Sequence, residues 1–171
     1  MNGTSAKATA IVRIALGVGF LFAGLDKALS LGGGGAFNAA SFLKFATLGS
    51  LPGSDPKAIV NPTHDFWVTL AGNGTLMPIV NTLVVTGEIA VGVCLILGLA
   101  TRFAGIMGAI MTGLFFIAAW SFSTGVVNEQ FLYSVLAGYM AVVGAGQVWG
   151  LDGVLARTEL LARTPLRVLV A

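Results

Sequence analysis

Four long apolar segments constrain this chain more than any other feature of its sequence. A helix needs about 20 mainly apolar residues to cross the hydrocarbon core of a bilayer, and such segments occur at roughly 8–29, 78–100, 103–122 and 130–149. Only 9% of the 171 residues are charged, whereas a soluble domain has about 25%, so the chain lacks the charge to cover a water-facing surface. We therefore predict an all-α fold, in which residues 1–171 form a single membrane domain built as a polytopic four-helix bundle.

The lysines and arginines predict how this bundle is oriented. An even number of spans puts both termini on one side, and cytoplasmic loops carry the excess of positive residues. The side with the termini, which includes the turn at Arg102, holds Lys7, Arg13, Arg102, Arg157, Arg163 and Arg167. The opposite side holds only Lys27, Lys44 and Lys57. We expect both termini in the cytoplasm and the long loop at 30–77 on the outer side.

Two segments outside the spans predict helices at the membrane surface. The outer loop contains AASFLKFATL and NPTHDFWVTLAGNG, and in the second segment Asn61 is suited to cap a helix with Pro62 at its first position. Both segments favour short helices in the interface, where Trp is enriched. The tail at 153–171 combines apolar residues with arginines, which is typical of a basic helix on the cytoplasmic surface in contact with anionic lipid.

Glu88 is the main candidate for a functional residue, because it lies near the middle of the second span. A charged group at that depth costs about 3 kcal/mol, so it should face the bundle interior with a partner or be protonated. The helical rise places Lys27 and Arg13 each roughly 10 Å from it in depth. Side chains point towards the helix N-terminus, which favours Lys27 as the partner and leaves Arg13 to reach the membrane surface. Two roles stay open for Glu88: a structural anchor, and a proton carrier or ligand group.

The remaining polar residues exclude several classes of protein. His64 is the only histidine and Cys94 the only cysteine, so we expect no metal site, no bis-histidine haem and no intramolecular disulfide. The GGGG run at 32–35 lacks the Lys-Ser/Thr of a phosphate-binding loop, and no basic run indicates a nucleic-acid partner. No catalytic residue set is evident beyond the candidate Glu88. His64 and Asp65 remain a polar pair at the outer surface, suited to orient a headgroup or move a proton.

Several motifs resemble the DoxX/DoxD family of membrane proteins. RIALGVGFLFAGLDKAL resembles the family's first helix, with Arg13, Gly24 and Lys27 in place. GEIAVGVCLILGLATRFAG resembles the second, from Glu88 to Arg102, and VWGLDGVL resembles the end. The resemblance covers nearly the whole chain and implies a four-helix membrane protein. It identifies Arg13, Lys27, Glu88 and Arg102 as the matching charged positions.

The resemblance also implies a function. The family includes the membrane subunit of thiosulfate:quinone oxidoreductase, which works with a small protein partner. We therefore expect a membrane subunit of a quinone-linked oxidoreductase in a bacterial or archaeal plasma membrane, with lipids and a partner subunit around it. Whether the chain itself is an enzyme is left open. Quinone or lipid would bind near Glu88 and Lys27, with Arg13, Arg102 and His64 as further candidate contacts.

Two other interpretations come from different classes of protein. The chain would serve equally well as a non-catalytic structural or accessory subunit of a larger respiratory or photosynthetic membrane complex, because it has few polar interior groups. A small transporter is a weaker third interpretation, since paired broken helices are not evident.

Overall fold

The chain folds into a helical bundle with a layer of short helices over one end. The computed structural model describes residues 3–31, 36–46, 48–49, 58–59, 61–121 and 127–157. The elements are, in chain order, α1 (Gly3–Leu29), α2 (Ala39–Ala46), β1 (Leu48–Gly49), β2 (Ala58–Ile59), α3 (His64–Ala71), α4 (Leu76–Leu97), α5 (Thr101–Ala119), α6 (Glu129–Val143), a 3₁₀ turn (Ala145–Gln147) and α7 (Leu151–Leu155). The two short strands pair antiparallel, with Leu48 opposite Ile59. Most of the predicted basic tail, from residue 158 onwards, lies outside the described residues.

Within the part of the chain that the structure describes, three helices are long and apolar enough to cross a membrane, namely α1, α4 and α5. Their outward-facing side chains include Phe22, Leu83 and Ile110, which are 65%, 64% and 53% exposed. Large apolar side chains exposed along several helices suit lipid rather than water. The predicted all-α membrane fold is therefore confirmed.

The fourth helix, α6, is shorter than the sequence predicted. It covers 15 residues and ends at Val143, because Gly144 adopts left-handed backbone with a φ of 60°. The 3₁₀ turn and an extended residue, Val148, follow it. At 1.5 Å per residue α6 is roughly 22 Å long, which is less than the hydrocarbon thickness of about 30 Å. The predicted helix up to residue 149 is thus divided, and α6 alone does not form a full-length span.

A tight turn joins α4 to α5 three residues earlier than expected. The sequence placed this turn at Thr101 and Arg102, which are instead the first residues of α5. The turn consists of 98–100, where Gly98 and Ala100 have φ values of 63° and 47°. Pro78 lies in the first turn of α4.

Small residues let the long helices pack closely in two pairs. On α4, a Cβ added at Gly92 would lie 2.8 Å from the Cα of Leu21 on α1, so only glycine fits there. On α5, a Cβ added at Gly105 would lie 2.9 Å from the Cβ of Ala141 on α6. Such close approach is typical of membrane bundles. The two pairs share a core of Leu16, Phe20, Val91, Leu95, Ala104, Ala137 and Met140.

The outer loop supplies the layer over the bundle. Its helices α2 and α3 bury a cluster that includes Trp67 and, from α5, Ala118. The N-cap residue of α3 is Thr63 rather than the predicted Asn61, although Oδ1 of Asn61 accepts a 2.7 Å hydrogen bond from the Thr63 N–H just before the helix. The Nδ2 atom of Asn61 donates 2.8 Å hydrogen bonds to the carbonyl oxygens of Ile117 and Ala118. The two predicted short helices are therefore present, and Asn61 ties them to the end of α5.

Candidate functional site

A buried ion pair joins α1 to α4 beneath the loop layer. Lys27 donates a hydrogen bond from Nζ to Oε1 of Glu88 at 2.9 Å, and the same nitrogen lies 2.8 Å from Oε2. The second contact lacks hydrogen-bond geometry, so Oε2 accepts no hydrogen bond within the described residues. The Glu88 side chain is 5% exposed and the Lys27 side chain 24%. The predicted pairing of Glu88 with Lys27 is confirmed.

A close helix contact positions this pair. Gly24 lies one turn before Lys27 on α1, and a Cβ added there would lie 3.0 Å from the Cβ of Glu88. Glycine therefore lets the α1 backbone approach α4 beside the carboxylate. Lys27 occupies the last turn of α1, where a cation complements the helix dipole, and it also donates a 3.3 Å hydrogen bond to the Ala23 carbonyl.

The segment before α2 covers the exposed side of the pair. The Nζ atom of Lys27 lies 5.7 Å from the centroid of the Phe37 ring, within the range of a cation–π interaction. Two residues later, the Ala39 N–H donates a 2.8 Å hydrogen bond to Oδ1 of Asn81 on α4. Asn81 and Glu88 are seven residues apart and so lie on the same helix face. The covering segment is thus held against the face that carries the carboxylate.

This arrangement leaves one hydrogen-bond donor next to an aromatic ring. An ammonium has three N–H donors, and among the described residues Lys27 uses two of them, on Ala23 and Glu88. A donor, a flat ring and a buried carboxylate suit a polar headgroup that arrives from an apolar phase. The Glu88 carboxylate can also take up a proton inside the bundle.

A second buried cluster lies at the other end of the bundle, around Arg13, which is near the middle of α1. The Arg13 side chain is fully buried and donates from Nη2 to the Trp149 carbonyl at 2.9 Å. Its Nε and Nη1 atoms have no hydrogen-bond partner within the described residues. The expectation that Arg13 reaches the membrane surface is therefore wrong. The guanidinium turns inwards because Gly98 and Gly150, which lack side chains, leave room for it.

Asp152 is the counter-charge in this second cluster. Its Oδ1 accepts a 2.7 Å hydrogen bond from the Ala100 N–H and its Oδ2 a 2.9 Å hydrogen bond from the Thr101 N–H. It therefore caps the start of α5 from a distant part of the chain. Its own N–H donates to the Gly98 carbonyl at 2.8 Å, and its charge attracts Arg13. These contacts join α1, the α4–α5 turn and α7, so the cluster holds the fold together.

One site cannot contain all five candidate residues. Lys27 and Glu88 meet, whereas Arg13 lies roughly 21 Å from Lys27 along α1. Arg102 is half-buried in the first turn of α5, at the Arg13 end of the bundle. His64 is the first residue of α3, in the outer layer. Contact of Arg13, Arg102 and His64 with quinone or lipid stays a prediction.

The sequence reasoning did not predict the buried contacts of two polar residues, Asp152 and Asn61. Both are almost fully buried, at 1% exposure each. Asp152 had a signal, because a lone carboxylate directly after an apolar segment, at the depth of Arg13, calls for a cation. Asn61 had none, since its role depends on carbonyl groups at the end of α5, 56 and 57 residues later.

Among the described residues, neither Cys94 nor a group of metal-binding side chains forms a second candidate site. Cys94 is half-buried and packs against the apolar core between the helices. Within the part of the chain that the structure describes, no three His, Cys, Asp or Glu side chains are grouped so that they could hold a metal ion.

The described residues form three long apolar helices whose outer faces expose apolar side chains, and charged side chains lie inside the bundle. These features define a multi-pass α-helical membrane protein. Residues 8–164 match the sequence model of a family described as TQO small subunit DoxD, where TQO is thiosulfate:quinone oxidoreductase. Because this match covers most of the chain, the chain belongs to the DoxD family. A search of the curated proteins finds no similar sequence, and a search of the solved structures finds no similar structure.

Proposed function

We propose that this chain is the membrane subunit of a quinone-linked oxidoreductase of the thiosulfate:quinone type, and that its Lys27–Glu88 pair binds the quinone headgroup. The geometry of that pair carries the proposal. A carboxylate that is 5% exposed is bonded to an ammonium that is 24% exposed, and the ammonium lies beside the Phe37 ring. The family description supports the class of reaction.

The residues around the pair fit a quinone headgroup. A quinone has two carbonyl oxygens that accept hydrogen bonds, and the third N–H of Lys27 is a suitable donor. The Phe37 ring, which packs against the α2–α3 cluster, supplies a flat apolar face for the quinone ring. Leu25 and Leu29 are exposed on the same end of α1, where a quinone's apolar tail would arrive from lipid.

The overall reaction balances if a partner oxidises thiosulfate. Two thiosulfate ions lose one electron each and form a new S–S bond, which gives tetrathionate. A quinone supplies the electron sink, because it takes up these two electrons with two protons. The chain has one cysteine and one histidine, too few ligands for a haem with two axial histidines or a Cys₄ iron–sulfur cluster. We therefore place thiosulfate oxidation on a protein partner.

The role of this chain is then to hold the headgroup and to move a proton. Lys27 would donate its third N–H to a quinone oxygen and would release that proton as the oxygen is reduced, which leaves a neutral amine. Glu88, whose Oε1 lies 2.9 Å from Nζ, would then take up a proton from water and pass it to the lysine, which restores the ion pair. Its Oε2, which accepts no hydrogen bond among the described residues, is the atom on which the carboxyl group carries its proton.

The first experiment is purification in mild detergent, followed by mass spectrometry of co-purifying proteins and extracted quinone. The proposal predicts a soluble partner and about one quinone per chain, with thiosulfate-dependent quinone reduction by the complex. Recovery inside a large cofactor-bearing assembly, with no quinone of its own, would contradict it.

A variant pair tests the site itself. Glu88→Gln keeps the shape of the side chain and removes its charge and proton, so quinone reduction should fall at least tenfold while the membrane level stays normal. Glu129→Gln is the matched control, because Glu129 is exposed at the start of α6. Equal activity of both variants would remove Glu88 from the mechanism.

A structural or accessory subunit is the second candidate, favoured by the Arg13–Asp152 cluster. That cluster joins three parts of the chain through buried contacts and has no evident chemical task. On this interpretation, Glu88→Gln lowers the amount of protein in the membrane and leaves the specific activity of the surviving complex unchanged.

We also propose that both termini lie in the cytoplasm of a bacterial or archaeal cell. The positive residues support this orientation, with six on the side of the termini and three on the other. Alkaline phosphatase fused after residue 171 should be inactive, and the same enzyme inserted in the outer loop should be active. The reverse pattern would invert the topology.

A further inference from the structure

An open groove lies at the end of the bundle where α4 finishes and α7 begins. Its volume is about 510 Å³. Apolar side chains form most of its walls, and among the described residues Arg157 is the one charged residue that lines it. The apolar lining residues that matter here are Ile96, Leu97, Trp149, Leu151 and Val154.

The walls of the groove are apolar although they face outwards. Trp149 and Val154 are each 61% exposed, and Leu97 is 45% exposed. The Trp149 backbone has a φ of 52°, a left-handed conformation that is unfavourable for a residue other than glycine. In this conformation its carbonyl meets Arg13 while its indole stays outside. Exposed Trp is typical of the depth of lipid headgroups, so the groove lies at the membrane interface.

The charge around the groove is positive. Arg157 is exposed at its edge. Beneath its floor, Arg13 packs against Gly150 and keeps two nitrogens without hydrogen-bond partners among the described residues. The carboxylate of Asp152 does not offset this charge at the surface, because it is 1% exposed and both its oxygens accept backbone hydrogen bonds. An anion at the groove is therefore complementary.

We propose that this groove binds one anionic phospholipid, with its phosphate-bearing headgroup on Arg157 and an acyl chain along Leu97 and Val154. A phospholipid uses both parts of the groove, the cation and the apolar wall, whereas a free phosphate would use only Arg157. Arginine also binds phosphate through two parallel N–H donors, which suits this headgroup. The site lies at the opposite end of the bundle from the Lys27–Glu88 pair, so the lipid proposal does not depend on the quinone proposal.

The test uses the full chain in nanodiscs of phosphatidylcholine mixed with phosphatidylglycerol. After transfer to detergent, native mass spectrometry counts the lipids that stay bound. We expect one phosphatidylglycerol per chain in preference to phosphatidylcholine. Arg157→Gln should lower its retention about tenfold, as expected for the loss of a charge-assisted contact. The matched control Lys7→Gln removes a positive charge from the exposed start of α1 and should leave retention unchanged.

A second pair of variants tests the apolar part of the groove without changing any charge. Val154→Trp fills the groove and should displace the bound lipid. Val142→Trp adds the same bulk on α6, where the residue is 79% exposed and does not line the groove, and should have no effect. Equal retention of the two lipids, or equal losses in Arg157→Gln and Lys7→Gln, would overturn the proposal.

Discussion

The α1 helix carries one cation towards each end of the bundle, and the protein holds these two cations differently. Arg13 is fully buried, bonds to the backbone carbonyl of Trp149 and is balanced by Asp152. Lys27 bonds to the side chain of Glu88 and keeps 24% of its own side chain exposed. Arg13 is thus enclosed by backbone contacts, whereas Lys27 keeps an N–H donor that a ligand can reach.

This difference separates a charge that stabilises the fold from a charge that is available for chemistry. The partners of Asp152 are backbone N–H groups of Ala100 and Thr101, which cannot move unless α5 moves. The partner of Lys27 is a carboxylate on a side chain, which can take up a proton or change rotamer without moving a helix. We therefore expect substitutions at the Arg13 end to lower stability and substitutions at the Lys27 end to lower activity.

Asp152→Asn should have the largest effect on stability. The substitution leaves Arg13 buried without a counter-charge and turns an amide N–H₂ towards a backbone N–H. We expect the free energy of unfolding, measured by titration with sodium dodecyl sulfate and circular dichroism, to fall by about 3 kcal/mol. Asp65→Asn, at an exposed position in the first turn of α3, should change it by less than about 0.5 kcal/mol. Similar losses of unfolding free energy in both variants would contradict the structural role of the Arg13–Asp152 cluster.

Gly92→Ala should come next, because it separates the helices that carry Lys27 and Glu88. The added methyl group would lie 2.8 Å from the Leu21 Cα, and overpacking of this kind costs about 2 kcal/mol. Gly87→Ala on the same helix meets only the Met111 Sδ at 3.4 Å, so it should be neutral or slightly stabilising. Thermal unfolding in detergent compares the two, and an equal melting temperature would argue against tight α1–α4 packing.

Lys27→Met should destabilise the protein by only about 1 kcal/mol, because Lys27 is partly exposed and Glu88 can take up a proton once the lysine is absent. Adding Glu88→Gln should restore part of that loss, since the side chain then needs no proton to become neutral. The same titration with sodium dodecyl sulfate measures both variants. A loss as large as that of Asp152→Asn would make the Lys27 end structural as well.

Phe37→Leu should have the smallest effect and should act on ligand binding alone. It removes the aromatic face on which the quinone ring would pack, an interaction worth about 0.5–1.5 kcal/mol, so quinone affinity should fall about threefold. Phe42→Leu is the control, because the Phe42 ring packs against Phe115 instead. Fluorescence quenching by added quinone gives both affinities. A lower affinity only in Phe42→Leu would place the quinone site near Phe42 instead of Phe37.

The sequence predicted features that depend on length and depth along a helix. Apolar length indicated the membrane helices, and the rise per residue placed Lys27 at a depth from which it could reach Glu88. Composition and turn residues indicated α2 and α3. These features are local, because each depends on residues of one segment or on the depth of two segments in the same bilayer.

The sequence did not predict contacts whose partners lie far along the chain. Arg13 turns inwards because its partner is a carbonyl 136 residues later, and a backbone carbonyl has no signature in the sequence. Asp152 caps a helix that begins 51 residues earlier, so no capping motif precedes α5. The early end of α6 had a signal in Gly144, but apolar residues on both sides of it suggested a continuous helix.

Labelling with a photoreactive quinone tests the central claim most directly, because it reports where the headgroup binds. The purified chain in nanodiscs is labelled and digested, and the modified peptides are identified by mass spectrometry. We predict labelling at Phe37 or at the end of α1, which is lost in Lys27→Met and retained in Arg102→Gln. Labelling that persists unchanged in Lys27→Met, or that falls near Trp149, would contradict the assignment of the Lys27–Glu88 pair as the quinone site.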